Sequence, residues 1–460
     1  MGLYSLNKVI SISGSSGVGK TTLSEFLFYI LGEENITVIR GDDSHKWERE
    51  DSQWEKYTHL NPEANNLESE VESILALKKG NSIARKSYNH STGKFDNDVK
   101  ILPNDFIIYE GLHALYGDMR LISDIGIFIE TEESLKNQWK LNRDTQKRGY
   151  TKEQVEDVLL RREKDERLYI IPQRENADIV VTFEEKKDKA VHLEYRCMEE
   201  TENELMKKVK KVYDMHRDFL SLCKKISFEY DLIQHGGGNI SYKFDDKIII
   251  TSSGREMGEI SMLDGFSLCN REGLQIKKSK DRPSMEVGLH LKISHPVVLH
   301  THPIYLNTIL CSEESEDILS EILSEYDYNY IPYVTPGKEL KDKFSPNNEN
   351  KISVLENHGL ICGGNSFVEV FNISLHINKM CKKWLIKNSK VFKTFSHSHL
   401  EEKGKFLFPD AVVLEDKMKP INQYMIYIQR DIGLTPRFLP DGEVKKLLNM
   451  EEEKYRKTLL

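Results

Sequence analysis

Short apolar runs alternate with longer charged, amphipathic stretches from residue 8 to about 190. The runs are Val9–Ile12, Thr37–Ile39, Asp105–Tyr109, Ile125–Ile129 and Asp178–Thr182. Unbroken apolar runs of this length suit strands buried on both faces, and the stretches between them suit helices. The alternation predicts a parallel sheet with helices on both sides. Between 190 and 210 the apolar runs stop and the chain becomes charged, YRCMEETENELMKKVKK. A boundary is expected near residue 203, with one domain over residues 1–200 and another over 204–460. The second opens on a helix over about 204–225. Strands of antiparallel character follow at Asn239–Lys243, Lys247–Thr251, Val297–His300 and Ile352–Leu355.

Composition narrows the class without changing this outline. The chain has 460 residues, is 38% hydrophobic and 30% charged, and carries a formal charge of −9. A mild negative balance gives no field to collect nucleic-acid phosphates, so no nucleic-acid partner is expected. No run reaches the roughly 18 apolar residues of a membrane span, and the first residues read as a strand rather than a leader. Six cysteines form no C-x-x-C pair, which suits free thiols in a reducing, cytoplasmic setting.

The sharpest chemical signal is Gly14-Ser15-Ser16-Gly17-Val18-Gly19-Lys20-Thr21, followed by Thr22. Glycines at this spacing let a loop curl so that its amides face nucleotide phosphates, and the helix that follows adds its positive end. Lys20 can reach the β- and γ-phosphates of ATP, and the Thr21 hydroxyl can ligate Mg²⁺. A strand precedes the loop and TTLSEFLFYI follows as a helix, the context such a loop requires. Two further acids stand at strand ends. Glu110 closes Phe106-Ile-Ile-Tyr-Glu110 and suits Mg²⁺ or its water. Asp42 and Asp43 follow Val38–Ile39, where a carboxylate can take a proton from a substrate hydroxyl or cap a helix.

In the second half, His300-Thr-His302-Pro303 ends the run Pro296–Leu299. Residues i and i+2 of a strand share a face, so both imidazoles point the same way. His358 in Glu356-Asn-His358-Gly359 offers a third nitrogen, and Glu286, with His290 nearby, offers a carboxylate. Three imidazoles suit zinc, and ordinary buried hydrogen bonding is the competing use of the same residues.

Two resemblances follow from these motifs. Leu60-Asn-Pro-Glu-Ala-Asn-Asn66, Tyr88-Asn-His90-Ser-Thr-Gly93, Glu110-Gly-Leu-His113, Asn142-Arg143-Asp144, Arg148-Gly149, Pro172-Gln173 and Ala177-Asp178 occur in order. Residues 8–183 thereby resemble the phosphoribulokinase family, its plant and cyanobacterial branch more than uridine kinases. That resemblance implies a P-loop NTPase fold, ATP, Mg²⁺ and phosphorylation of a sugar or sugar phosphate. It implies Asp42 as base, Glu110 as second acid, and Lys20 on the phosphates. His45, Arg49, Tyr88 and Arg143 fall where the substrate is bound. The loop around His45 and the Arg85-Lys86-Ser87 segment depart from the family pattern, so the acceptor sugar stays open.

Gly237-Gly-Asn239-Ile-Ser241, Ile250-Thr-Ser-Ser253-Gly254, Pro283-Ser284-Met-Glu286, His300-Thr-His302-Pro303, Pro332–Gly337 and Asn357-His358-Gly359 also occur in order. Residues 205–395 resemble the class II aldolase/adducin family. That implies an α/β domain on a central antiparallel sheet, usually within a tetramer. It also implies Zn²⁺ on His300, His302 and His358, acting as a Lewis acid on ketose oxygens. Glu286 becomes the general acid/base, and Asn239, Ser253, Gly254 and Ser284 a phosphate pocket with free amides. Tyr326, Tyr328 and Tyr330 are candidates for an auxiliary tyrosine. Aldol cleavage, 4-epimerisation and dehydration share these ligands, and a metal-free adducin-like scaffold is the non-catalytic alternative.

Overall fold

The computed structural model describes residues 7–459 except His90, 199–202, 278–280, Asn348, Val391 and 393–404. The chain forms two compact units, Met1–Arg217 and Asp218–Leu460. The division falls inside the helix Glu204–Ile226, whose N-terminal half packs in the first unit. There Tyr213 meets Phe26 and Phe183 edge-on, and Lys210 and Tyr213 donate to the carbonyls of Leu193 and Val191.

The first unit holds a six-stranded sheet. From edge to edge its order is Val191–Cys197, Ile179–Glu185, Ile125–Thr131, Lys8–Gly14, Phe106–Glu110 and Ile36–Arg40. All neighbours are parallel except the first pair. Each apolar run became a strand because it is covered on both faces; Val9, Ile10 and Ile12 are fully buried. The edge strand Val191–Cys197 was not anticipated. It alternates, VHLEYRC, with Leu193 buried and most of its other residues half-exposed, so it carries no continuous apolar run. The helix Lys20–Leu31 follows the central strand directly.

The second unit is a seven-stranded sheet. Its order is Phe266–Asn270, Lys247–Thr251, Asn239–Phe244, Val297–Thr301, Gly359–Gly364, Ile352–Leu355 and Tyr328–Ile331. Its pairs are antiparallel apart from the last two strands, which run parallel. The strands at 266–270, 328–331 and 359–364 were not foreseen. The last reads GLICGG, and its glycines hide a fully buried strand. Val298, Ile361, Leu289, Leu340, Leu355 and Phe344 build a core on one side of this sheet. Helices 367–388 and 415–431 flank the unit, and helix 451–459 closes the described chain.

Candidate active sites in the two units

In the first unit, Gly14, Gly41 and Glu110 lie at the C-terminal ends of three adjacent parallel strands. Strand order reverses about the central one, and such an end is where open α/β sheets bind ligands. The glycine-rich loop spans Ser15–Gly19. Gly19 begins the helix at φ 98°, and a Cβ there would stand 2.8 Å from the Phe183 ring, so only glycine fits. No side chain caps this helix, which leaves its first amides to an anion. Lys20 Nζ curls back onto the carbonyls of Gly14 and Ser15, at 2.8 and 2.9 Å. Burial pushes this amine down to about 8, against the pull of Asp42 and Glu110. Both acids are therefore close enough to act on Lys20.

Glu110 accepts from Ser24 Oγ at 2.7 Å, beside the first turn of the helix that carries Thr21 and Thr22. Asp42 acts on the Lys20 amine, and Asp43 has other contacts. Asp43 accepts the Tyr88 amide at 2.7 Å and faces Arg85 at 3.8 Å, so it ties two segments together. His45 is buried among His59, Trp54 and Tyr88. Arg49 is exposed and hydrogen-bonds the Tyr88 side chain. Arg143 reaches the loop, with Nη2 3.3 Å from Ser16 Oγ, while its Nε holds Asp144 at 2.8 Å. Arg143 thus sits on the nucleotide side of the candidate site.

Several motif residues are framework. Gln173 bonds Ser13, the Leu115 amide and two carbonyls, which fixes the loop after Glu110. His113 meets the Leu60 carbonyl at 2.9 Å. Asp178 holds Arg120 and the Gly126 amide. His90 lies outside the described residues. Two groups beside the loop were missed. Glu166 hydrogen-bonds Ser15 and Lys136, and Lys140 packs under Gly17 with its amine pushed down to about 7 by burial. Both sit in charged, amphipathic helical stretches, where no spacing singles out one residue.

In the second unit, three central strands bring the candidate residues to one end of the sheet. Asn239 pairs with His300 across one strand boundary, and His300 with Ile361 across the next. The turn before strand 359–364 puts His358 alongside, with Asn357 at φ 52° and its amide bonded to the carbonyls of Leu407 and Arg437. His300, His302 and His358 converge, each with a ligand nitrogen within 4.8 Å of the others, and all are buried. Gly359 makes room for them. A Cβ there would stand 2.3 Å from the Thr301 carbonyl and 3.0 Å from the His302 ring.

The tautomers follow from the partners. His300 Nδ1 faces the Leu360 carbonyl at 3.0 Å, and His302 Nδ1 faces the Asp410 carboxylate at 2.7 Å. Both acceptors take a proton from Nδ1, so both Nε2 atoms carry lone pairs. Those two Nε2 atoms face each other at 2.9 Å. Two lone pairs at that distance repel unless a cation lies against both. Burial pushes His358 down to about 3 and His300 below its usual value, the neutral forms a metal needs. The donor set therefore fits a zinc ion, and its size and nitrogen character suit that metal.

Glu286 stands 3.4 Å from His300 Nε2 and 3.3 Å from His358 Nε2, and accepts from the Asn239 amide at 2.6 Å. Burial raises this carboxyl, the Asn239 amide opposes that rise, and positive charge at the three imidazole positions, when present, holds it down. Asn239, Ser253, Gly254, Ser284, Glu286, His302 and His358 line one cavity. The expectation of free amides there fails in part. Ser253 N donates to the Arg282 carbonyl at 2.9 Å and Ser284 N to Thr251 at 3.3 Å, because both edges complete the sheet. Tyr330 turns to Ser315 and Glu356. Asp410, Glu453 and Arg456 also line this cavity and were missed; they come from helices far along the chain.

Residues 9–190 match the Phosphoribulokinase / Uridine kinase family model, and residues 217–385 match the Class II Aldolase and Adducin N-terminal domain. A phosphoribulokinase of Synechocystis sp. is 36% identical over 200 residues, 43% of this chain and 58% of that protein. That of Rhizobium meliloti is 33% identical over 37% of this chain and 68% of its own length. A solved class II aldolase domain of a conserved Thermoplasma acidophilum protein is 21% identical, with TM-score 0.33, over 37% of this chain and 92% of that one. The chain belongs to the phosphoribulokinase/uridine kinase family through its first unit, and in the same polypeptide carries a region that matches the Class II Aldolase and Adducin N-terminal domain model.

Proposed function

We propose that this chain is a bifunctional sugar-phosphate enzyme. Its first domain, residues 1–200, transfers the γ-phosphoryl of ATP to a sugar or sugar phosphate. The amides of Ser15–Gly19 and the Lys20 amine hold the nucleotide phosphates, and Thr21 and Glu110 hold Mg²⁺. His45, Arg49 and Tyr88 seat the sugar, Arg143 closes on the nucleotide side, and Asp42 takes the proton of the attacking hydroxyl. The matched relatives named phosphoribulokinase support this kinase reading.

Its second domain, residues 204–460, performs zinc-dependent aldol cleavage of a ketose phosphate. His300, His302 and His358 hold the metal, which when bound supplies Lewis acidity at the ketose oxygens. Glu286 carries the proton to and from the carbon beside the carbonyl, and Asn239 keeps that carboxylate aimed. Ser253, Gly254 and Ser284 form the end of the cavity for the substrate's phosphate. The observation that carries this reading is the pair of bare imidazole nitrogens of His300 and His302, facing at 2.9 Å with Glu286 against both His300 and His358. Four such groups have no use in a scaffold. We further propose a cytoplasmic homo-oligomer, a tetramer built on the aldolase-like domain. Among the described residues no helix is long and apolar enough to cross a membrane.

Metal analysis tests the site. About one zinc per chain is expected, from the three-imidazole donor set, and His302→Ala loses it. Protein that neither retains nor takes up zinc contradicts the reading.

A further inference from the structure

The cavity of the second unit has an unexplained cation. Arg456, on the helix Glu451–Leu459, lines it together with Ser253, Gly254 and Ser284. The residue is 8% exposed. Its Nη1 donates to Asp410 at 2.7 Å and lies 3.5 Å from Glu453. Its Nε and Nη2 are buried, and among the described residues neither has a hydrogen-bond partner. Leaving two charged N–H donors unmet in a protein interior is unfavourable, and structures tolerate it where a ligand completes the set.

The surroundings say what kind of ligand. Asn239 is committed to Glu286 and Ser284, and the Ser253 and Ser284 amides are committed to the sheet. Serine hydroxyls and the Gly254 amide alone are a thin set for an anion, and a guanidinium edge is the geometry that binds one in two-pronged fashion. The helix is fixed for the task. Leu459 packs over Gly254, where a Cβ would meet it at 3.0 Å, and Tyr455 lies 4.5 Å under the Arg282 guanidinium.

We infer that Arg456 is the principal oxyanion-binding residue of this cavity, taking a phosphate of the sugar substrate on Nε and Nη2. The inference deepens the proposed lyase reading and rests on it. It goes beyond the sequence pattern, which put the phosphate on small residues alone. It also gives the segment after residue 385, outside the matched domain, a direct part in substrate recognition.

Titration calorimetry of inorganic phosphate into the zinc-loaded full chain tests it, with ADP and Mg²⁺ saturating the first unit so that its phosphate loop is filled. Phosphate binding is expected in the wild type, weakened about tenfold or more in Arg456→Met. Arg456→Lys keeps a charge beside Asp410 but loses the planar fork, so it retains zinc and binds phosphate more weakly than wild type. If Arg456→Met does not fold or hold zinc, Arg456→Lys decides alone. Phosphate affinity unchanged in a zinc-holding variant overturns the inference, as does a wild type that binds no phosphate. The probe is not a ketose, so failure here leaves the cleavage reaction to its own test.

Discussion

His302 and Asp410 lie 108 residues apart in sequence and share a hydrogen bond of 2.7 Å that leaves His302 Nε2 bare. Asp410 is in turn held by Arg456, so one chain of contacts runs from the last helix to a candidate metal ligand. Outer partners of this kind fix the tautomer and orientation of a ligating imidazole. Asp410→Asn is therefore expected to weaken zinc binding by about 10–100-fold, read by chelator competition. Unchanged affinity would remove Asp410 from that role.

Gly359→Ala should be more damaging than its size suggests. The added methyl would press on the Thr301 carbonyl and both the His300 and His302 rings. Overpacking of this order costs about 1–3 kcal/mol, and the three imidazoles cannot all keep their places. Thermal unfolding should shift down and zinc occupancy should fall; a stable, fully loaded variant would show that the strands yield there.

The two adjacent aspartates in the first unit should part company. Asp42→Asn is expected to lower kinase turnover by roughly 10²–10⁴-fold with ATP affinity nearly unchanged. Asp43→Asn should instead act on stability, because Asp43 joins the Tyr88 amide to Arg85. Steady-state kinetics and thermal unfolding of both variants separate the cases, and the reverse pattern would exchange their roles.

Lys20→Ala should abolish phosphoryl transfer and leave cleavage of a pre-phosphorylated ketose within a few-fold of wild type. Among the described residues the Lys20 amine hydrogen-bonds the Gly14 and Ser15 carbonyls, in the phosphate loop of its own unit. Loss of both activities in a folded variant would contradict two independent sites.

Much of this arrangement was legible because its chemistry is local in sequence. The loop at Gly14–Thr21 is one contiguous segment, Glu110 ends an apolar strand, and His300 and His302 sit two apart on one face. What escaped is long-range or disguised. Asp410 and Arg456 reveal themselves only through contacts across 108 and 46 residues. The tail EEEKYRKTLL is strongly charged, yet Glu453 and Arg456 are buried. Strand 359–364 was hidden by its glycines, and strand 191–197 by its polar alternation. The fate of the Ser253 and Ser284 amides depends on register with neighbouring segments, which spacing along the chain does not encode.

The central claim is that the imidazole triad and Glu286 together cleave a ketose phosphate. The most direct measurement is mass analysis of the products formed from a panel of pentulose and hexulose phosphates by the zinc-loaded chain and by Glu286→Gln. The account predicts an aldehyde and a shorter ketose fragment from the wild type, and a variant that keeps its zinc but releases neither. Zinc-loaded wild type that releases no aldehyde from any ketose phosphate, or whose product keeps every carbon of the substrate, would contradict it; the second outcome would assign the site to epimerisation or dehydration.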